Sequence, residues 1–132
     1  MCGFAAFFEK DHHFRDNFLN DVELDIYHRG PDSGGRFTEA DAAIVFRRLA
    51  IVDLDKRSDQ PFLSACARFV IAFNGEIYNF KEIRSDLEAK GRMFRTYSDT
   101  EVIVEGFAHF GEEIFKKLNG MFAVVIFDRK EK

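Results

Sequence analysis

The chain has 132 residues, enough for one domain with a hydrophobic core and too few for two. Hydrophobic residues make up 46% and phenylalanine occurs 17 times with no tryptophan, so disorder is excluded and Phe carries most of the large apolar area. The net charge of −4 is spread along the sequence with both signs, which offers no basic face for nucleic acid, and no apolar stretch reaches membrane-spanning length.

Residues 3–8 read as a buried strand. The apolar run that contains them lacks preceding basic residues and is too short for a signal peptide. Phe14, Phe18, Leu19, Val22 and Ile26 recur at roughly helical spacing, which predicts a helix over 14–27. Arg29 to Gly35 is a cluster of chain breakers and predicts a loop. Ala42 to Phe46 predicts a strand, and Ile51 to Pro61 an irregular stretch. Arg68 to Phe73 predicts a second long strand, ending at Asn74-Gly75.

A helix follows from about Asn79, with Phe80, Ile83 and Leu87 as its apolar stripe and Gly91 just past its end. Ser98-Asp99-Thr100-Glu101 has the form of a capping box and opens another helix, with Val102, Ile103, Phe107 and Phe110 on its buried face. A helical turn over Glu112–Leu118 places acids first and lysines last, as the helix dipole favours. Met121 to Phe127 is apolar throughout, which predicts a strand covered on both faces. Asp128 to Lys132 then looks like the start of a hairpin with no returning strand, so the chain reads as a fragment, or as one whose partner strand lies elsewhere. The alternation of strands and helices predicts an α+β or layered α/β architecture.

Four places carry candidate chemistry. Removal of Met1 would leave Cys2 with a free α-amine, whose reference pKa of about 8 suits a general base beside its own thiol. The plainer alternative is an inert cysteine near a chain end. Asn74-Gly75 at a strand end is either a tight turn or a pair of donors for an oxyanion. Arg48 is either a clamp for a substrate carboxylate or a strand-end arginine reaching water. Asp99 is either a partner for an ammonium group or part of a helix cap. His12, His13, His28 and His109 share no metal-ligand spacing, and Cys66 reads as a small buried hydrophobe. Two cysteines make no disulfide framework, and a reducing, cytoplasmic setting is expected.

Met1-Cys2-Gly3, Arg29-Gly30-Pro31-Asp32, Arg48-Leu49-Ala50-Ile51-Val52-Asp53, Asn74-Gly75-Glu76-Ile77-Tyr78-Asn79, Ser98-Asp99-Thr100-Glu101 and Leu118-Asn119-Gly120-Met121-Phe122-Ala123 occur in that order. Together they resemble the class II glutamine amidotransferases, and among these the N-terminal glutaminase domain of glutamine-hydrolysing asparagine synthetases. The resemblance implies a four-layer αββα N-terminal-nucleophile hydrolase sandwich, here lacking its C-terminal strands, with residues 1–132 as one partial domain. It implies that Cys2 attacks the glutamine carboxamide and that Asn74 and Gly75 hold the oxyanion. Arg48 would bind the α-carboxylate, with backbone groups around Leu49, Ile51 and Val52, and Glu76 and Asp99 the α-ammonium.

No cofactor is implied for this domain. ATP and Mg are implied for a C-terminal synthetase domain that would consume the ammonia, with aspartate the default acceptor. Two alternatives stand beside it: a shortened module that binds glutamine without turnover, and an amidotransferase acting on a sugar or another carboxylate in surface-polysaccharide synthesis. Glutamine is the expected small-molecule partner, nucleic acid and membrane are not, and a homodimer is compatible with the resemblance. Phe46 stands where the family often has histidine, which raises the question of how Arg48 is supported.

Overall fold

The computed structural model describes residues 2–50 and 55–131. Its first sheet is antiparallel, with order β1-β3-β2, from β1 (Gly3–Phe8), β2 (Ser33–Glu39) and β3 (Ala42–Arg48). The second is also antiparallel, with order β4-β5-β6, from β4 (Phe62–Leu63), β5 (Phe69–Ile77) and β6 (Gly120–Asp128). The helices are α1 (Asp16–Asp25), α2 (Phe80–Ala89) and α3 (Asp99–Phe110).

The layering follows from the period-2 alternation of the strands. Along β3, Ile44 and Phe46 face the second sheet and pack with Val70, Ala72 and Phe127. Ala43 and Val45 face the other way and meet Leu19 of α1, with Val22 and Ile26. Along β5, Val70 and Ala72 look toward the first sheet, whereas Phe69, Ile71, Phe73 and Ile77 pack on Ile103 and Val104 of α3. The order is therefore α1, first sheet, second sheet, then α2 and α3, the αββα sandwich implied by the sequence. No described helix is long and apolar enough to cross a membrane.

Several expectations are corrected. The breaker cluster 29–35 is not all loop, because Ser33, Gly34 and Gly35 begin β2 and pair with Arg48, Arg47 and Phe46. Gly35 serves close approach rather than turning: a Cβ there would overlap the Gln60 carbonyl oxygen and lie 3.2 Å from Pro61 Cδ. Within the stretch 51–61 predicted as irregular, the described residues 55–61 hold one 3-10 turn (Lys56–Ser58), residues 51–54 lie outside the described ones, and the two-residue strand β4 follows it. Asn74-Gly75 does not end a strand, since β5 continues to Ile77 with Asn74 opposite Ala123 and Gly75 opposite Phe122. Gly75 adopts φ of +153°, a region open to glycine.

The coverage of β6 is also corrected. Met121 is 69% exposed and Phe122 38%, and only Phe127 is buried. Among the described strands β6 is the last of its sheet, and Met121, Phe122 and Ala123 in its first half are exposed. The turn expected over 112–118 is a 3-10 helix over Gly111–Lys116. Cys66 is exposed rather than buried, and its thiol contacts Ser64 Oγ at 3.3 Å. That hydrogen bond holds the Cys66 pKa below its usual value.

Candidate active site

Cys2 immediately precedes β1, whose Gly3 pairs with Arg47 of β3. Alternation places the Cys2 side chain on the inter-sheet side, against the cluster of Ile44, Phe46 and Ala72. Both backbone groups of Leu49 reach its sulfur: the Leu49 N–H donates to Sγ at 3.4 Å, and the thiol is 3.5 Å from the Leu49 carbonyl. The 29–32 loop completes this seat. Arg29 Nε donates to the Cys2 carbonyl at 3.2 Å. The Asp32 N–H donates to the Arg48 carbonyl at 3.0 Å, and the Asp32 carboxylate accepts from the Ala50 N–H at 2.8 Å.

Arg47 and Arg48 are neighbours with opposite duties. Arg47 turns outward, stacks on Tyr27 at 4.5 Å, and donates to the Gly30 and Pro31 carbonyls and to Glu23. Burial alone would raise the Glu23 pKa, but hydrogen bonds from Arg36 and Arg47 bring it below its usual value. Arg48 turns inward, 7% exposed. It donates to Asp59 Oδ1 at 2.6 Å and to the Asp55 carbonyl at 3.1 Å, while Ser33 Oγ also donates to Asp59. Phe46 lies in the inter-sheet core, so Arg48 takes its support from the 55–59 segment.

The edge of β5 forms the opposite wall. The Tyr78 N–H donates to Asn119 O, on the β6 side, so the backbone groups of residues 73, 75 and 77 point away from β6. Two of these positions are occupied by side chains. Gln60 accepts from the Phe73 N–H at 2.6 Å and donates to the Phe73 carbonyl at 3.2 Å. Asp99 Oδ2 accepts from the Ile77 N–H at 3.2 Å. By the same alternation the Gly75 N–H, two residues from each, is directed to this edge.

Asp99 is the first residue of α3, and Oδ1 accepts from the Thr100 N–H at 2.9 Å. Burial pushes its carboxyl pKa up. The two backbone N–H groups oppose that shift, and the nearby Glu76 adds to it. The capping box is only half formed. Ser98 Oγ accepts from the Glu101 N–H at 3.2 Å, but the buried Glu101 carboxylate takes the N–H groups of Arg95 and Thr96 instead of reaching back to Ser98. Ser98 thus caps while Asp99 faces the cavity.

Cys2, Arg48, Leu49, Asn74, Gly75, Glu76 and Asp99 all line one cavity of about 540 Å³. That volume lies in the range of small-molecule sites. Ile51 and Val52 fall outside the described residues. Ser58, Gln60 and Thr100 also line the cavity and were not singled out by sequence. Gln-Pro ahead of a strand carries no periodic signal, and only the fold reveals that Gln60 meets Phe73. The cavity offers a thiol, a guanidinium, carboxylates and backbone or amide donors, the complement of a zwitterion bearing one carboxamide.

Known proteins match at the level of the whole chain. The family model described as glutamine amidotransferase domain matches residues 1–132. Glutamine-hydrolyzing asparagine synthetase 1 of Bacillus subtilis is 41% identical over 136 residues, covering 99% of this chain and 21% of that protein. Glutamine-hydrolyzing asparagine synthetase 3 of Arabidopsis thaliana is 38% identical over 134 residues, covering 100% of this chain and 23% of that protein. The chain therefore spans about a fifth of the length of these relatives. Among solved structures, glutamine phosphoribosylpyrophosphate amidotransferase of B. subtilis, complexed with ADP and GMP, superposes with a TM-score of 0.56 and 25% identity. The superposition covers 69% of this chain and 22% of that one. With the whole chain matched and the αββα layers in place, this chain belongs to the family of class II glutamine amidotransferase domains.

Proposed function

We propose that the domain hydrolyses glutamine to glutamate and ammonia, with Cys2 as nucleophile once Met1 is removed. The observation that carries this reading is the seat of the Cys2 sulfur on the Leu49 backbone, in the same cavity as Arg48, Asn74, Gly75 and Asp99. In this reading Arg48, with backbone groups around Leu49, Ile51 and Val52, binds the substrate α-carboxylate, and Asp99 and Glu76 bind the α-ammonium. Cys2 Sγ attacks the side-chain carboxamide carbon, and the thiol proton passes to the Cys2 α-amine.

The tetrahedral oxyanion accepts from the Asn74 side-chain amide and the Gly75 N–H. Cleavage of the C–N bond, with return of that proton to nitrogen, releases ammonia and leaves a thioester. Water then attacks the thioester, the C–S bond breaks, and glutamate leaves with the thiol restored. The wider context is a proposal resting on the relatives' names and lengths. The ammonia passes to a C-terminal synthetase domain that uses ATP and Mg to amidate aspartate or a related carboxylate.

The test is ammonia release from glutamine by the chain, with Met1 removal verified by intact mass. Cys2→Ala should abolish the activity, and so should retention of Met1, which ties up the α-amine in a peptide bond. Full ammonia release by Cys2→Ala would sink the assignment.

A further inference from the structure

The edge of β5 is covered in an uneven way. Its outer side is paired by β4 at Val70 and Ile71. At Phe73, among the described residues, no strand pairs with this side, and the Gln60 side chain takes the place of one, closing both backbone groups of Phe73. At the far side Asp99 closes the Ile77 N–H. The Gly75 N–H lies between these two supports. Gln60 is itself fixed three ways: the residue is 8% exposed, its Nε2 also donates to Thr100 Oγ1 at 3.2 Å, and its backbone carbonyl abuts Gly35 of β2.

We propose that Gln60 is a positioning residue for the oxyanion site, holding the Phe73–Gly75 backbone of β5 so that the Gly75 N–H meets the charge developing on the glutamine carboxamide oxygen. The inference rests on the glutaminase reading above. The amide is suited to this task because it offers one acceptor and one donor side by side, the pattern of a β-ladder partner, without adding a strand that would cover residue 75. Thr100 links the same amide to the first turn of α3, which also carries Asp99. The wall that polarises the carboxamide and the wall that holds the ammonium therefore share one framework. A shift of β5 here weakens an interaction made in the transition state and leaves ground-state binding at Arg48 and Asp99 in place.

The test separates those two states. Gln60→Leu keeps the bulk and loses both bonds. Three quantities are measured in the full chain: kcat for ammonia release, glutamine affinity in the Cys2→Ala background by calorimetry, and inhibition by the γ-aldehyde analogue of glutamine. That aldehyde adds the Cys2 thiol across its carbonyl and places an alkoxide-like oxygen in the oxyanion site. Gln60→Leu should lower kcat and aldehyde affinity together by about tenfold to a hundredfold, with glutamine affinity within about threefold of the parent. Unchanged kcat overturns the proposal. So does an equal loss of glutamine and aldehyde affinity, which is the signature of general loosening. Should Gln60→Leu not fold, Thr100→Val removes one support of Gln60 and must show the same selective loss to a smaller degree, or the proposal fails. Cys2-dependent ammonia release by the parent chain is scored separately, so failure of the glutaminase reading is distinguished from failure of this one.

Discussion

Replacing Asp99 with asparagine isolates a single charge. Asp99 is 9% exposed, and its carboxylate accepts two backbone N–H bonds, from Ile77 and Thr100; asparagine's single oxygen cannot retain both while also serving an ammonium group. A hydrogen bond to a charged partner contributes about 1.5–3 kcal/mol, so Asp99→Asn should raise KM for glutamine roughly 10- to 150-fold with a smaller change in kcat. The pH dependence has a definite sign. Burial raises the Asp99 pKa above its unfolded value of 3.8, so the folded state without substrate holds this proton more tightly than the unfolded state. Its contribution to stability is present below 3.8 and is lost as pH rises through the raised value. Urea unfolding across mildly acidic pH should show that loss in the parent and a flatter profile in Asp99→Asn. Glutamine, by supplying an ammonium group, should lower the Asp99 pKa, and calorimetry in buffers of different ionisation enthalpy should detect proton release on binding. A KM within twofold of the parent, together with identical pH profiles of stability, would refute the assignment of Asp99 to the ammonium.

Three further outcomes follow from the same geometry. Asn74→Ala should lower kcat by about 100- to 1,000-fold with little change in KM, read by steady-state ammonia release, because the proposed mechanism loses one oxyanion donor. Gly75→Ala should destabilise by about 2–5 kcal/mol, seen as a lower urea midpoint. A Cβ there overlaps the Met121 carbonyl oxygen and lies 2.6 Å from Phe122 Cα, and both obstacles are backbone that no rotamer can relieve. Arg68 hydrogen-bonds Asp128 across the last pair of β5 and β6 and holds its pKa down at about 2. The pair should stabilise above pH 3.8 and lose its effect as pH falls toward 2, and Asp128→Asn should remove that part of the acid-unfolding profile.

Elements with strong periodicity were legible in the sequence. The strand at 42–46, the stripe of Phe80, Ile83 and Leu87, and the Ser98 cap are dictated by local pattern, and the structure extends or trims them by a few residues. Where sequence reasoning failed, glycine was performing a long-range task. Gly34 and Gly35 look like turn residues, yet they belong to a strand that another segment crosses closely. Asn74-Gly75 has turn chemistry, but β6 pairs through it and carries β5 onward. Cys66 follows the common burial of free cysteine in expectation only, since its position in the turn before β5 leaves it in solvent. The cluster of Cys2, Arg48, Asn74 and Asp99 came from motif order, not from any local property. The supports of that cluster, Asp59 beneath Arg48 and Gln60 beside Phe73, have no local signature because each acts through a partner distant in sequence.

The paired arginines at the end of β3 leave the fold no tolerance for a slipped strand. Consecutive side chains point to opposite sides of a sheet, so displacing β3 by one residue would send Arg47 into the cavity and Arg48 out toward Glu23 and Tyr27. The charge count would be conserved, yet the inner guanidinium would lose Asp59 and the 29–32 loop would lose the clamp that seats the cysteine. One misaligned ladder would thus strip the inner guanidinium of its support and unseat the loop beside Cys2 together, so the pairing of β3 with both β1 and β2 fixes the two ends of the cavity at once.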